Sequence, residues 1–200
     1  MFQKKGASMA KNPERRTALL DAAIEVLASE GARGLTFRAV DIAAKVPIGT
    51  ASNYFANRDA LLAQVSVRAY ERFMPDATEW GNALTGPRDR AKLTELMQAV
   101  VHRLIHPPTV YLALLELRLE ATRRPALREN LTRRVSEDIE DNIAFHEKAE
   151  MPGDRRTVTL LHLALNWLVT EHLTLPGVLA AEGTPDELTA LVVERIVSEE

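Results

Sequence analysis

From Pro47 to Phe55 the chain reads Pro-Ile-Gly-Thr-Ala-Ser-Asn-Tyr-Phe, a short run dense in small and hydrogen-bonding side chains. A helix made of such residues is not built mainly for burial. Its chemistry is hydrogen bonding at close approach. Groups that could do covalent or metal chemistry are sparse by comparison. His102 and His106 stand four apart, but the glutamate of a zinc-protease H-E-x-x-H pattern is missing, and a histidine at a helix end is favourable in its own right. No G-x-S-x-G elbow and no strand followed by a glycine-rich phosphate loop occurs, and there are no cysteines. Thiol redox chemistry, disulfides and thiolate metal sites are therefore excluded. The expectation is a non-enzyme with no cofactor and no metal.

The elements that must position this run read as helices. Several segments repeat apolar residues at i, i+3 and i+4, and none alternates long enough for a sheet, so the expected fold is all-α. Leu19, Leu20, Ala23, Ile24 and Leu27 form the stripe of a first helix from Pro13, which Gly31 should end. Thr36 can cap a short helix from Phe37 to Ala44, and Asn57 another running to Phe73. Between them Pro47 disfavours helix in the residue before it and suits the first turn of the next. Two short helices embraced by two longer ones result, with Val40, Val46, Phe55 and Leu61 as core.

Three separated blocks, Leu35-Thr36-Phe37-Arg38-Ala39-Val40, Val46-Pro47-Ile48-Gly49-Thr50 and Ser52-Asn53-Tyr54-Phe55-Ala56-Asn57-Arg58-Asp59-Ala60-Leu61-Leu62, together resemble the DNA-binding domain of TetR-family regulators. The match is strong over residues 13 to 73, and beyond them it rests on length and helical pattern. The resemblance implies a helix-turn-helix whose second helix lies in the major groove. Thr36, Arg38, Pro47, Ile48, Gly49, Thr50, Ser52, Asn53, Tyr54 and Arg58 are then the expected DNA-contacting residues. Thr50, Ser52 and Tyr54 carry hydroxyls suited to phosphate, Asn53 an amide suited to adenine, and Arg38 a guanidinium suited to guanine. Arg58, opening the fourth helix, could grip phosphate together with the helix amides. Two positions depart from the family pattern. Lys45 stands where glycine is usual, so it must adopt a left-handed conformation or another turn geometry. Asp41 stands where alanine is common, close to where DNA would pass, and could weaken nonspecific binding or orient a neighbouring arginine.

The charge distribution is compatible with this reading. Residues 1–75 hold 11 Lys and Arg against 7 Asp and Glu, and residues 76–200 hold 14 against 21, within a net charge of −3. A basic first third on an acidic remainder suits phosphate attraction at one end. The expected organisation is a flexible arm over 1–12, a helix-turn-helix domain over 13–75, and a helical effector-binding and dimerisation domain over 76–200.

In that last part, helices are expected over 88–105, 109–122, 126–150, 154–174 and 185–198, the final one opened by the capping box Thr184-Pro185-Asp186-Glu187. The segment from Thr159 to Leu175 is apolar nearly all round, which requires burial all round. Together with the last helix it predicts a four-helix homodimer interface, the alternative being burial within one monomer. Dimerisation implies a near-palindromic operator in double-stranded DNA, and the resemblance implies a repressor released by a small-molecule effector. Candidate effector contacts are Trp80, Tyr111, Glu116, Phe145, His162 and Asn166. His162 and Asn166, four apart, could orient a ligand or satisfy each other across the dimer seam, and Glu116 and Glu120 could form an ion-pair network with Arg123 and Arg124. A polar N-terminus without a signal-peptide core, and no run of about 18 apolar residues, point to a cytoplasmic protein without a membrane span. A helical ligand-binding protein without a DNA function is the rival reading.

Overall fold

A computed structural model describes residues 12–74 and 85–197. The arm up to residue 11, Trp80 and residue 198, where the last helix was expected to end, lie outside the described residues. Within them the fold is all-α: α1 (Pro13–Gly34), α2 (Phe37–Ala43), α3 (Thr50–Tyr54), α4 (Arg58–Phe73), α5 (Arg90–Ile105), α6 (Thr109–Ala121), α7 (Pro125–Lys148), α8 (Arg155–Thr174) and α9 (Pro185–Ile196).

Local capping explains where most of these helices begin. Asn12, Thr36, Asn57 and Asp89 each accept an otherwise unpaired first-turn amide of α1, α2, α4 and α5. Capping boxes open α8, through Asp154 and Thr157, and α9, through Thr184 and Glu187. The first helix departs from expectation. Gly31 adopts φ 69°, a left-handed conformation that suits glycine, but the chain kinks there and adds a further turn to Gly34.

Leu19, Ile24 and Leu27 of α1, Val40, Phe55, and Leu61, Leu62 and Val65 of α4 form one buried cluster. That cluster continues into α6 through Val110, Ala113, Leu114 and Leu117. The helices around α3 are thus seated directly on α6. A second cluster joins α5, α6 and α8 through Val101, Ile105, Tyr111, Leu165, Leu168 and Val169. A third joins α5, α8 and α9 through Leu93, Leu161, Val193 and Val197.

In this single chain α8 is not buried on all sides. Leu160, Leu163 and Trp167 are 51%, 61% and 64% exposed, and Leu191 of α9 is exposed as well. Among the described residues, no helix is long and apolar enough to cross a membrane.

Candidate nucleic-acid interface and ligand cavity

The turn between α2 and α3 is closed without glycine. Lys45 takes φ 55°. Its N–H donates to the Ile42 carbonyl, and the Val46 N–H to the Asp41 carbonyl, both at 3.0 Å. These are the two bonds of a Schellman ending, so the left-handed conformation expected as one alternative is the one adopted. Gly49, φ 94°, supplies the second left-handed residue just before α3.

Asp41 corrects an expectation. It is 1% exposed, so its carboxylate is buried within the fold and not on the surface. Its Oδ2 accepts from Gly49 N–H and its Oδ1 from Ala51 N–H, both at 2.7 Å. A carboxylate from α2 therefore caps α3, where its charge also suits the positive end of the helix. Phe55 and Ala51 anchor the same segment in the core.

With α3 fixed from below, the residues expected to touch DNA differ in exposure and in how far their polar groups are already committed. Thr36, Arg38, Pro47, Ile48, Gly49, Ser52 and Asn53 are exposed. Thr36 Oγ1 accepts from Ala39 N–H and keeps its own proton for another acceptor. Thr50 and Ser52 donate their hydroxyl protons to the Pro47 and Gly49 carbonyls. Tyr54 is half-buried and packs on the core. The guanidinium of Arg58 points inward, donating to the Ala32 carbonyl and lying 3.8 Å from Glu120.

Arg58 belongs to a clamp between the α1–α4 unit and α6. The kink at Gly31 frees the Ala32 N–H, which donates to Glu116 Oε2 at 2.9 Å. Both backbone groups of Ala32 are thus held by side chains from elsewhere in the fold. Glu120 binds Arg124 at 2.6 Å and Arg123 at 3.8 Å, and Arg124 also pairs with Asp59. The hydrogen bond from Arg124 holds the Glu120 carboxyl below its ordinary pKa. The ion-pair network expected for Glu120 is present, whereas Glu116 serves the clamp.

A cavity of about 420 Å³ lies between α5, α7 and α8. Of the candidates from sequence, Phe145, His162 and Asn166 line it. Tyr111 stands behind the wall: its hydroxyl donates to the Asn166 carbonyl at 2.7 Å and lies 3.0 Å from Thr170 Oγ1, and burial pushes its pKa up. Met97, Val100 and Leu104 of α5, with His146 and Met151, are among the other lining residues and were not singled out from sequence. Apolar lining residues carry no signal that separates them from core, although a histidine on the inner face of α7 could have been noticed. Burial lowers the pKa of both His146 and His162, with Asp138 opposing and Arg118 reinforcing the shift at His162. His102 and His106 stack their rings at 4.7 Å, and no group of three potential metal ligands occurs among the described residues.

A short, externally capped helix exposing slim polar side chains, clamped to a helical body that holds an apolar cavity, has the architecture of a helix-turn-helix unit joined to a larger helical domain. Residues 19–65 match the family model described as bacterial regulatory proteins, tetR family. Residues 88–199, more than half of the chain, match that of the tetracyclin repressor-like C-terminal domain. The chain belongs to the TetR family of transcriptional regulators.

Solved structures agree. A TetR-family member from Streptomyces coelicolor is 28% identical, with 94% of this chain and 100% of that chain covered and a TM-score of 0.69. The multidrug binding protein EbrR complexed with ethidium is 27% identical, over 93% and 99%, with a TM-score of 0.66. FadR from Bacillus subtilis in complex with stearoyl-CoA shares the fold at 18% identity, over 92% and 98%, with a TM-score of 0.68. No curated protein matches the chain.

Proposed function

We propose that this chain is a repressor that binds a near-palindromic operator as a homodimer and is released when a small-molecule effector enters the cavity between α5, α7 and α8. The observation that carries the reading is the position of α6. At one end its Tyr111 holds Asn166 of the cavity wall, and further along its Glu116 holds the Ala32 N–H of the DNA-binding unit. A ligand that displaces α8 acts on α6, and α6 acts on α1 and α4. The coupling equals the difference in effector affinity between the DNA-competent and released states, typically about 5- to 150-fold.

The dimer would form through α8 and α9, where Leu160, Leu163, Trp167 and Leu191 leave an apolar face open in the single chain. A two-fold axis there relates two α3 helices, which then read two half-sites. Arg38 and Asn53 would address base edges. Thr36, Thr50, Ser52 and Tyr54 would address phosphates, with the Thr50 and Ser52 hydroxyls turning from their own carbonyls. The protein acts in the cytoplasm, where its operator is. The ethidium held by EbrR supports a body of this shape as a small-molecule receptor.

The test is a gel shift of the full chain on its own promoter region, paired with sedimentation. A sedimenting dimer that binds selectively, and loses affinity steeply between about 50 and 200 mM salt, is the expected result. A monomer, or binding without sequence preference, overturns the proposal.

A further inference from the structure

Arg134, Asp138 and Asn142 follow one another at four-residue intervals in α7, which puts them on one face of the helix over about 12 Å of its length. The two ends of that face meet different parts of the protein. Arg134 lies over the Tyr70 ring of α4, its guanidinium carbon 5.5 Å from the ring centroid, within range of a cation–π contact. Asn142 lines the cavity. Asp138 stands between them, and its Oδ2 accepts from Asn142 Nδ2 at 3.4 Å. Since α7 packs on both α4 and α8, this face runs from a helix of the DNA-binding unit to the cavity wall.

Electrostatics joins the same residues. Asp138 is half-buried, and burial raises its pKa, with Arg134 and His162 opposing. Its charge acts on two further helices at once. On α4, burial raises the Tyr70 pKa, Asp138 reinforces the rise, and Arg118 of α6 and Arg134 oppose it. On α8, burial lowers the pKa of His162, a second residue of the cavity wall, and Asp138 opposes the shift. Arg134 has another acidic neighbour in Glu137, 3.8 Å away and 53% exposed. The guanidinium thus has somewhere to turn when Asp138 is withdrawn.

We propose that Asp138 is a positioning residue that passes occupancy of the cavity to α4, because its carboxylate faces Asn142 and His162 on the cavity side and Arg134, seated on Tyr70, on the other. The inference rests on the effector reading and adds to it a route separate from Tyr111 and Glu116 of α6. A guest that engages Asn142 or His162 draws it away from the carboxylate. Arg134 then turns toward Glu137 and Tyr70 loses its cover. The shift reaches α3 through the core cluster that Tyr70 shares with Ala51 and Phe55.

The test needs no knowledge of the effector, because the chain has no cysteine and a guest can be tethered at one chosen point. In the full chain, the thiol of Ala99→Cys at the exposed edge of the cavity, or of Leu96→Cys in its half-buried wall, is labelled with monobromobimane. The emission of this small apolar dye moves to shorter wavelength out of water, which reports that it is seated. Operator affinity is read by gel shift with and without the label. A seated dye should weaken operator binding at least about fivefold. Asp138→Asn and Arg134→Gln should each reduce that factor at least about twofold. Glu140→Gln, which also removes a charge from α7 and breaks its exposed pair with Arg155 of α8, should leave the factor as it was. Seated-dye emission in each variant shows that the cavity is still formed. A factor unchanged by Asp138→Asn and Arg134→Gln, or reduced as much by Glu140→Gln, overturns the role of Asp138 and leaves the effector reading standing. A dye that emits as in water from both positions, a seated dye without effect on operator binding, or a chain that does not select its operator overturns both.

Discussion

Replacing Asp41 should unseat α3 without unfolding the protein. The carboxylate is buried and accepts two amides at 2.7 Å, those of Gly49 and Ala51. Hydrogen bonds to a charged group contribute about 1.5–3 kcal/mol each. The two losses differ in Asp41→Ala. Gly49 is exposed, so water can take its amide, whereas the Ala51 bond is buried and its amide is left unpaired. The net cost is about 3 kcal/mol for Asp41→Ala and about 2 kcal/mol for Asp41→Asn, which keeps one acceptor oxygen but turns an NH2 toward the other amide. A domain stable by about 5–15 kcal/mol stays folded after either change. Urea midpoints measure the global cost. Hydrogen exchange at Gly49 and Ala51 measures the local one, and operator affinity should fall at least about tenfold as α3 frays. If the carboxylate instead faced DNA and repelled phosphate, Asp41→Ala would keep its stability within about 0.5 kcal/mol and bind all DNA more tightly. That result would refute the capping argument.

Lys45→Gly should stabilise the protein by about 1 kcal/mol in urea unfolding, because a non-glycine residue at φ 55° costs about 1–2 kcal/mol and glycine gives back part of that in backbone entropy. Glu116→Gln can still accept from Ala32 N–H and should keep both operator binding and effector release. Glu116→Ala should keep operator binding but weaken effector-driven release several-fold, read by gel shift with and without effector. Stability should also depend on pH through the two cavity histidines. Burial lowers their folded pKa below the ordinary 6.5, so the unfolded chain binds more protons between those values. Stability should therefore be flat from about pH 7 to 8 and fall as the pH drops through about 6.5, levelling once the folded rings are protonated. Asp138, whose pKa burial raises, favours the folded state as the pH drops further, and the slope near 6.5 should vanish in a His146→Gln, His162→Gln double variant.

The legible parts of this protein were those written locally. Thr36, Asn57 and the Thr184–Glu187 box announce helix starts within three residues of the amides they bind, and each is observed. Pro47 marks the bend by backbone restriction alone. Partners further along the chain were not legible. Asp41 meets amides eight and ten residues on, across a turn whose geometry must be known first. Arg58 and Glu116 converge on Ala32 from 26 residues after it and 84 residues after it, so from sequence Arg58 reads as a phosphate contact and Glu116 as an effector contact or ion-pair partner. The cavity was half legible. His162, Asn166 and Phe145 stood out as irregularities on apolar helices, whereas Met97 and Val100 are of a type that fills a core as readily as it lines a void. The open face of α8 illustrates the same limit. Periodicity marks Leu160, Leu163 and Trp167 as apolar, but whether they meet their own chain or another is a property of the assembled fold.

The central claim is that α3 reads base sequence, and Asn53→Ala tests it most directly. Asn53 is exposed on a helix held by Asp41 and Phe55, so its truncation leaves the fold in place. Fluorescence anisotropy would compare the full chain and the variant on the chain's promoter DNA and on a scrambled duplex of equal length, at fixed salt. The account predicts that the variant loses about 1–3 kcal/mol of discrimination between the two duplexes and binds the scrambled one as before. Discrimination unchanged by the substitution, or absent from the unaltered chain, would contradict it.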